Sequence, residues 1–156
     1  MKLILMRHTH AEWAPGQDDH ARALSARGQE EARRLGSWLK KSGHVPGHAL
    51  VSDAKRTRQS FAALALTCGA DEMADLYLAE YTFLRAAIQA TSQSDSLLLL
   101  AHNPGIAEVA STLVKTPPDH PAFYIYPPGA TLVLDYDPQG GAAQLVDFMT
   151  PADLNP

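Results

Sequence analysis

The chain has little of several things, and each shortage closes a route. It holds a single cysteine, Cys68, so no intrachain disulfide can form. Cys68 has no arginine six residues on, which removes the usual pattern of a cysteine-dependent phosphatase. No run approaches the roughly 20 apolar residues of a membrane span, and Leu3–Met6 is too short for a signal-peptide core. There is no lysine-rich block, and the formal net charge is −4, a poor match to nucleic-acid binding. No Gly-rich loop of the nucleotide-binding type occurs, and no internal repeat. These absences predict a cytoplasmic protein that touches neither membrane nor nucleic acid. Its oligomeric state is not legible.

What is present is globular. A length of 156 residues with 46% apolar content suits one domain, 1–156, with one core. Short apolar runs alternate with stretches of helical period. Leu3–Met6, Ala49–Val51 and Leu97–Ala101 read as buried strands, and Met73–Leu78 as a short further one. Ser25 is a plausible N-cap for a helix to about Lys41, with Ala32, Leu35 and Leu39 on one face. Residues 54–66 read as a helix with Phe61, Leu64 and Ala65 spaced for burial, and 82–90 as another. Asn103 and Pro104 suit the N-cap and first turn of a helix with Ile106, Val109, Ala110 and Leu113 as its stripe. Thr131–Leu134 and Leu145–Phe148 read as a hairpin across the turn-forming residues 137–141. The alternation predicts a three-layer α/β/α sandwich on a mixed, mostly parallel sheet of about six strands.

Three of these strands end alike. The first runs into Arg7-His8, the second into Ser52 and then Arg56, the third into His102. Ligands of open α/β sheets bind beyond the carboxyl ends of parallel strands, so the fold can gather all four at one edge. Arginine offers a planar fork of donors matched to phosphate oxygens, and a neutral histidine is a nucleophile. A helix starting at Asn103-Pro104 would add backbone N–H groups for an anion. Each residue also has a plainer reading. Lys55, Arg56 and Arg58 taken alone suit a solvated helix face, and a histidine after a strand is commonly structural.

Four motifs, in order, carry a resemblance that covers nearly the whole chain. Met6-Arg7-His8-Thr9, Leu24-Ser25-Ala26-Arg27-Gly28, Ser52 with Arg56 four residues on, and Ala101-His102-Asn103-Pro104-Gly105 are similar to those of the histidine phosphatase superfamily, with its phosphoglycerate mutase-like fold. Val146–Pro151 resembles the end of the short bacterial branch that includes the phosphohistidine phosphatase SixA. The resemblance implies His8 as the nucleophile that becomes a phosphohistidine, Arg7 and Arg56 as clamps on the phosphoryl oxygens, and His102 as a further phosphate-binding and stabilising group. It implies no metal and no cofactor.

Thr9 departs from the family's usual Gly or Ala; its hydroxyl would donate to phosphate or fill space. The general acid is open. Glu80 fits by spacing, and is otherwise an exposed residue at a helix start; Glu12, Asp18 and Asp19 are lesser candidates. An ester's alkoxide needs a proton, whereas a phosphorylated imidazole protonated on its other nitrogen leaves as neutral imidazole. The ambiguous acid and the 45 residues between Arg56 and His102, too few for a large lid, lean toward a protein phosphohistidine substrate. A small phosphate ester as substrate and a non-catalytic phospholigand-binding module are the alternatives. His8-Thr9-His10 also resembles a His-x-His metal pair, but such sites sit on barrels of about 250 residues. His10, His20, His44, His48 and His120 read as loop or surface residues.

Overall fold

The computed structural model describes residues 1–155. Ten regular elements alternate as expected: β1 (Lys2–Arg7), α1 (Ala26–Lys41), β2 (His48–Ser52), α2 (Lys55–Leu64), β3 (Gly69–Met73), α3 (Tyr81–Ala90), β4 (Ser96–Ala101), α4 (Gly105–Leu113), β5 (Thr131–Tyr136) and β6 (Ala143–Met149). One six-stranded sheet runs in the order β3-β2-β4-β1-β5-β6. The first four strands are parallel, and β5 and β6 are antiparallel additions at one side.

Period-two alternation divides the core between the sheet's faces. Leu3 and Leu5 of β1 and Leu97 and Leu99 of β4 pack with Leu84 and Ile88 of α3 and with Ile106 and Val109 of α4. Ile4, Met6, Leu98 and Leu100 point the other way, against Leu35 and Leu39 of α1 and Leu64 of α2. The three layers are thus α1/α2, sheet and α3/α4. β1 and β4 lie side by side at the centre, buried on both faces, as their unbroken apolar runs require. Ser25 caps α1 by accepting from the Gly28 amide at 2.9 Å.

Four local expectations are corrected. The third strand is Gly69–Met73, an exposed polar edge, and half of the stretch taken for it forms a short 3-10 turn, Ala74–Leu76, that buries Leu76. Charged Asp71 and Glu72 suit an edge and hide it from a hydrophobic reading. α2 stops at Leu64; Ala65 turns left-handed (φ 51°) and is exposed, and Phe61 is only half-buried. Asn103 is not an N-cap: α4 begins at Gly105, and the Asn103 amide donates to the carbonyls of Ile125 and Tyr126 at 3.3 and 3.0 Å. His44 is buried, its ring 5.7 Å from that of Trp38, with Asp147 at 3.3 Å.

Two glycines set the loops above the sheet. A Cβ on Gly28 would lie 2.0 Å from the His10 carbonyl oxygen, so only glycine lets the loop after β1 rest on α1. A Cβ on Gly105 would lie 2.2 Å from the Ala79 carbonyl oxygen, which ties the residues before α3 to the start of α4.

Candidate active site

The carboxyl ends of β1, β2 and β4 converge. The parallel register pairs Arg7 with Ala101, so His8 and His102 emerge side by side, with ring centroids 5.2 Å apart. Arg56, in the first turn of α2, reaches between them. Its Nε lies 3.3 Å from His8 Nε2 and its Nη2 lies 3.3 Å from His102 Nδ1. Arg7, His8, Arg56 and His102 all line one cavity of about 350 Å³. Arg56 is buried, so the solvated-face reading holds for exposed Lys55 and Arg58 but not for it.

Hydrogen bonds fix the proton on each ring. A carbonyl can only accept, so His8 Nδ1 carries the hydrogen it gives to Thr9 O at 2.8 Å. His8 Nε2 is left as the acceptor, and its lone pair takes a hydrogen from Arg56 Nε at 3.3 Å. On His102 the order is reversed. Arg56 donates to Nδ1, so Nε2 holds the hydrogen and donates to the Ser52 hydroxyl at 2.7 Å. Burial, then His102 and the cations Arg56 and Arg7, push His8 down to about 3 against the opposing Thr9 hydrogen bond. Burial and then Arg56 push His102 to about 3, with Asp19 acting the other way. Both rings are therefore neutral at neutral pH.

Arg7 is placed by the loop before β5. Its Nη1 donates to the Tyr126 carbonyl at 3.1 Å, while the Tyr126 hydroxyl donates to Leu5 O at 2.7 Å. Arg7 Nε is buried without an acceptor among the described residues. In a cavity wall, such a donor suits an incoming oxyanion.

Asp19 is the residue that sequence spacing underrated. It is the one carboxylate lining the cavity among the described residues. It accepts from Arg56 Nη2 at 3.1 Å, from Arg22 Nη1 at 3.0 Å and from the Tyr77 hydroxyl. Its backbone carbonyl takes a further bond from Arg56 Nη1 at 2.6 Å. Burial works to raise the Asp19 carboxyl, but the donors Tyr77, Arg22 and Arg56 outweigh it and hold the group well below the usual carboxylate range. Asp19 is thus a fixed anion that orients Arg56. Tyr77 escaped the sequence reading because its only signal is a contact across the fold, with Asp19 over 58 positions. Arg22 pairs with Asp19 only three residues away, but nothing local ties that pair to the cavity.

Glu80 is not brought to His8. It is exposed and lines an adjoining cavity of about 330 Å³ with Tyr81, Gly105 and Glu108. Leu78 lines both cavities and stands between them. Pro104 and Gly105, at the start of α4, line this second cavity and not the first. Thr9 fills space: it is fully buried, donating to Gly28 O at 2.8 Å with Ser60 Oγ at 3.3 Å. Glu12 and Asp18 are exposed outside the cavity. His10 lines the cavity wall, its Nδ1 2.7 Å from Ser25 Oγ, and no group of metal-binding side chains occurs among the described residues.

A central parallel sheet that delivers two arginines and two neutral histidines to one small cavity defines a class of α/β protein built around an oxyanion. The chain belongs to the histidine phosphatase superfamily, whose branch 1 model matches residues 3–86, a stretch that includes Arg7, His8 and Arg56. A solved structure assigned as the phosphohistidine phosphatase SixA of Nakamurella multipartitia is 27% identical, with a TM-score of 0.82 over 96% of this chain and 95% of that one. Another, assigned likewise from Agrobacterium tumefaciens, is 25% identical, with a TM-score of 0.83 over 96% and 98%. An uncharacterized chloroplastic protein of Arabidopsis thaliana is 28% identical over 127 residues, 72% of this chain. The match spans 58% of that relative's length.

Proposed function

We propose that the chain is a single catalytic domain, residues 1–156, that removes phosphate from phosphohistidine in proteins by way of a phosphohistidine on His8. The observation that carries this reading is the His8 ring, whose Nδ1–H is held by Thr9 O while the Nε2 lone pair accepts only from Arg56 Nε, at 3.3 Å, a donor that phosphoryl oxygens would take over.

His8 Nε2 attacks phosphorus in line. The P–N bond to the substrate breaks, and its electron pair goes to the departing ring nitrogen. With its other nitrogen protonated, that ring leaves as neutral imidazole and needs no acid. Water then attacks the phosphorus and gives its proton to solvent as phosphate leaves. His8 departs in its turn as neutral imidazole, because Nδ1 keeps its hydrogen throughout. Arg7 and Arg56 stabilise the equatorial oxygens. An incoming phosphoryl dianion favours a proton on His102 Nδ1, converting it from an acceptor of Arg56 to a donor toward the phosphoryl group.

The leaving-group question favours the phosphoramidate. Asp19, the carboxylate in the cavity, is held ionised and is unfit as a proton donor. Glu80 keeps a second reading alive, a phosphomonoesterase for small esters, because its cavity shares the lining residue Leu78 with that of His8. No metal or cofactor enters either scheme. The reading includes a cytoplasmic setting, in keeping with the free thiol of Cys68; no described helix is long and apolar enough to cross a membrane.

The test is phosphate release from a histidine-phosphorylated protein and from p-nitrophenyl phosphate, without metal. Faster release from the first supports the proposal. Faster release from the second favours the esterase.

A further inference from the structure

The four most exposed large apolar side chains, among the described residues, are Trp13 (76%), Tyr124 (73%), Ile125 (70%) and Leu78 (53%). All four belong to segments that border one cavity, that of His8. Trp13 and Leu78 line the His8 cavity. Tyr124 and Ile125 immediately precede Tyr126, whose carbonyl holds Arg7 and, together with the Ile125 carbonyl, Asn103; both of those residues line the same cavity. Three separate loops, after β1, before α3 and before β5, thus carry exposed apolar residues on segments that border one mouth.

The backbone around the mouth departs from ordinary geometry to do so. Leu78 (φ 50°) and Tyr126 (φ 48°) are left-handed, a region that side-chain-bearing residues rarely adopt and that clusters at functional sites. At Leu78 this conformation comes with an apolar side chain left in solvent. Trp13 is held by Arg22, whose guanidinium carbon lies 3.5 Å from the ring centroid. Arg22 is itself fixed by Asp19 and by the Glu12 carbonyl at 3.0 Å. The ring is therefore a positioned surface group, not a loose one.

We infer that Trp13, Leu78, Tyr124 and Ile125 form an apolar collar that docks the protein surface surrounding a phosphorylated histidine. The inference rests on the phosphohistidine reading above and adds what selects the partner. His8 and His102 are recessed, at 6% and 3% exposure, so a substrate must reach down to them. The cationic cavity takes the dianionic phosphoryl group and its ring. The collar then faces whatever carries that side chain, and an uncharged aromatic and aliphatic rim matches apolar protein surface rather than a small charged ester. The partner is accordingly a protein whose phosphohistidine is flanked by exposed apolar side chains.

The test uses the full chain and its Y124S/I125S double variant, which alters neither the cavity lining nor the backbone carbonyls that hold Arg7 and Asn103. Two substrates are compared: free phosphohistidine, and a helix-bundle protein phosphorylated with phosphoramidate on one surface histidine flanked by leucines. The expected result is a loss of roughly tenfold or more in kcat/KM on the protein, the scale of removing interface anchors, with the free amino acid unchanged within about twofold. Equal rates on the protein for both forms overturn the collar alone. So does a dimer that the double variant dissolves without change in rate, which gives the surface to a second copy. A parent chain that hydrolyses p-nitrophenyl phosphate but neither phosphohistidine substrate overturns the phosphohistidine reading and the collar with it.

Discussion

Two cavities share the wall at Leu78, and they differ in everything that matters to phosphoryl transfer. One holds Arg7, Arg56 and two neutral histidines, with an acid, Asp19, that hydrogen bonds keep ionised. The other holds Glu80 and Glu108 and no cation. A dianion is drawn to the first and repelled by the second. The contrast teaches that Glu80 and Glu108 lie outside the oxyanion site, and that the carboxylate inside it is tied up by Arg56, Arg22 and Tyr77. Chemistry that needs a strong acid would have to reach across Leu78. Chemistry whose leaving group is a neutral imidazole would not.

The harshest way to break this comparison is to remove the nucleophile. His8→Ala is expected to cost about 10⁴-fold or more in kcat, as loss of a covalent nucleophile does, with thermal unfolding close to the parent's. Turnover near the parent's would place the chemistry elsewhere. Arg56→Ala comes next, with an expected loss of roughly 10² to 10³ in kcat/KM, the scale of one preorganised donor to developing charge. Lysine at this position is expected to restore only part, because a point charge cannot span His8, His102 and phosphoryl oxygens. Asp19→Asn is milder. It frees the Arg56 fork without removing it, and a loss of about tenfold is expected, carried mainly by kcat. A gain in kcat would instead mark Asp19 as a competitor for Arg56. Glu80→Gln sharpens the comparison by doing least: phosphohistidine hydrolysis should stay within about twofold. A much larger loss confined to p-nitrophenyl phosphate would join the two cavities into one esterase site.

Acidity offers an independent check. His8 and His102 sit near 3 in the fold, against about 6.5 in an unfolded chain. Between those values the unfolded chain binds more protons, so stability should fall as pH drops from 6.5 toward 3. The denaturation midpoint of His8→Ala should fall less steeply across that window. For the same reason the His8 acid limb of kcat/KM should lie near pH 3, not at 6.5; a limb at 6.5 would mean that His8 is protonated like a solvent-exposed histidine.

Much of this architecture could be read along the chain, where apolar runs ended in chemistry. Leu3–Met6 and Leu97–Ala101 identified the two central strands, and the residues just beyond them are the two facing histidines. Arg56 is singled out by its place four residues after Ser52, and in the fold it is buried where Lys55 and Arg58 on the same helix are exposed. What could not be read lies in loops. Asp19, Arg22 and Tyr77 form a single network; the Asp19–Arg22 pair is local, but the contacts of Asp19 with Arg56 and Tyr77, which give it meaning, join distant parts of the chain. Asn103 followed local helix-capping statistics, and a tertiary demand for donors at the carbonyls of Ile125 and Tyr126 overrode them. The edge strand failed for the opposite reason: its exposure demands polar residues that look like a loop.

The central claim is that His8 carries the phosphoryl group between substrate and water. The direct measurement is to mix the protein with a protein substrate bearing ³²P-phosphohistidine, quench within milliseconds in base, and map the label. The account predicts a base-stable, acid-labile label on His8, transient in the parent and missing in His8→Ala. Phosphate release with no labelled enzyme at any time, or a label on another side chain, would contradict it.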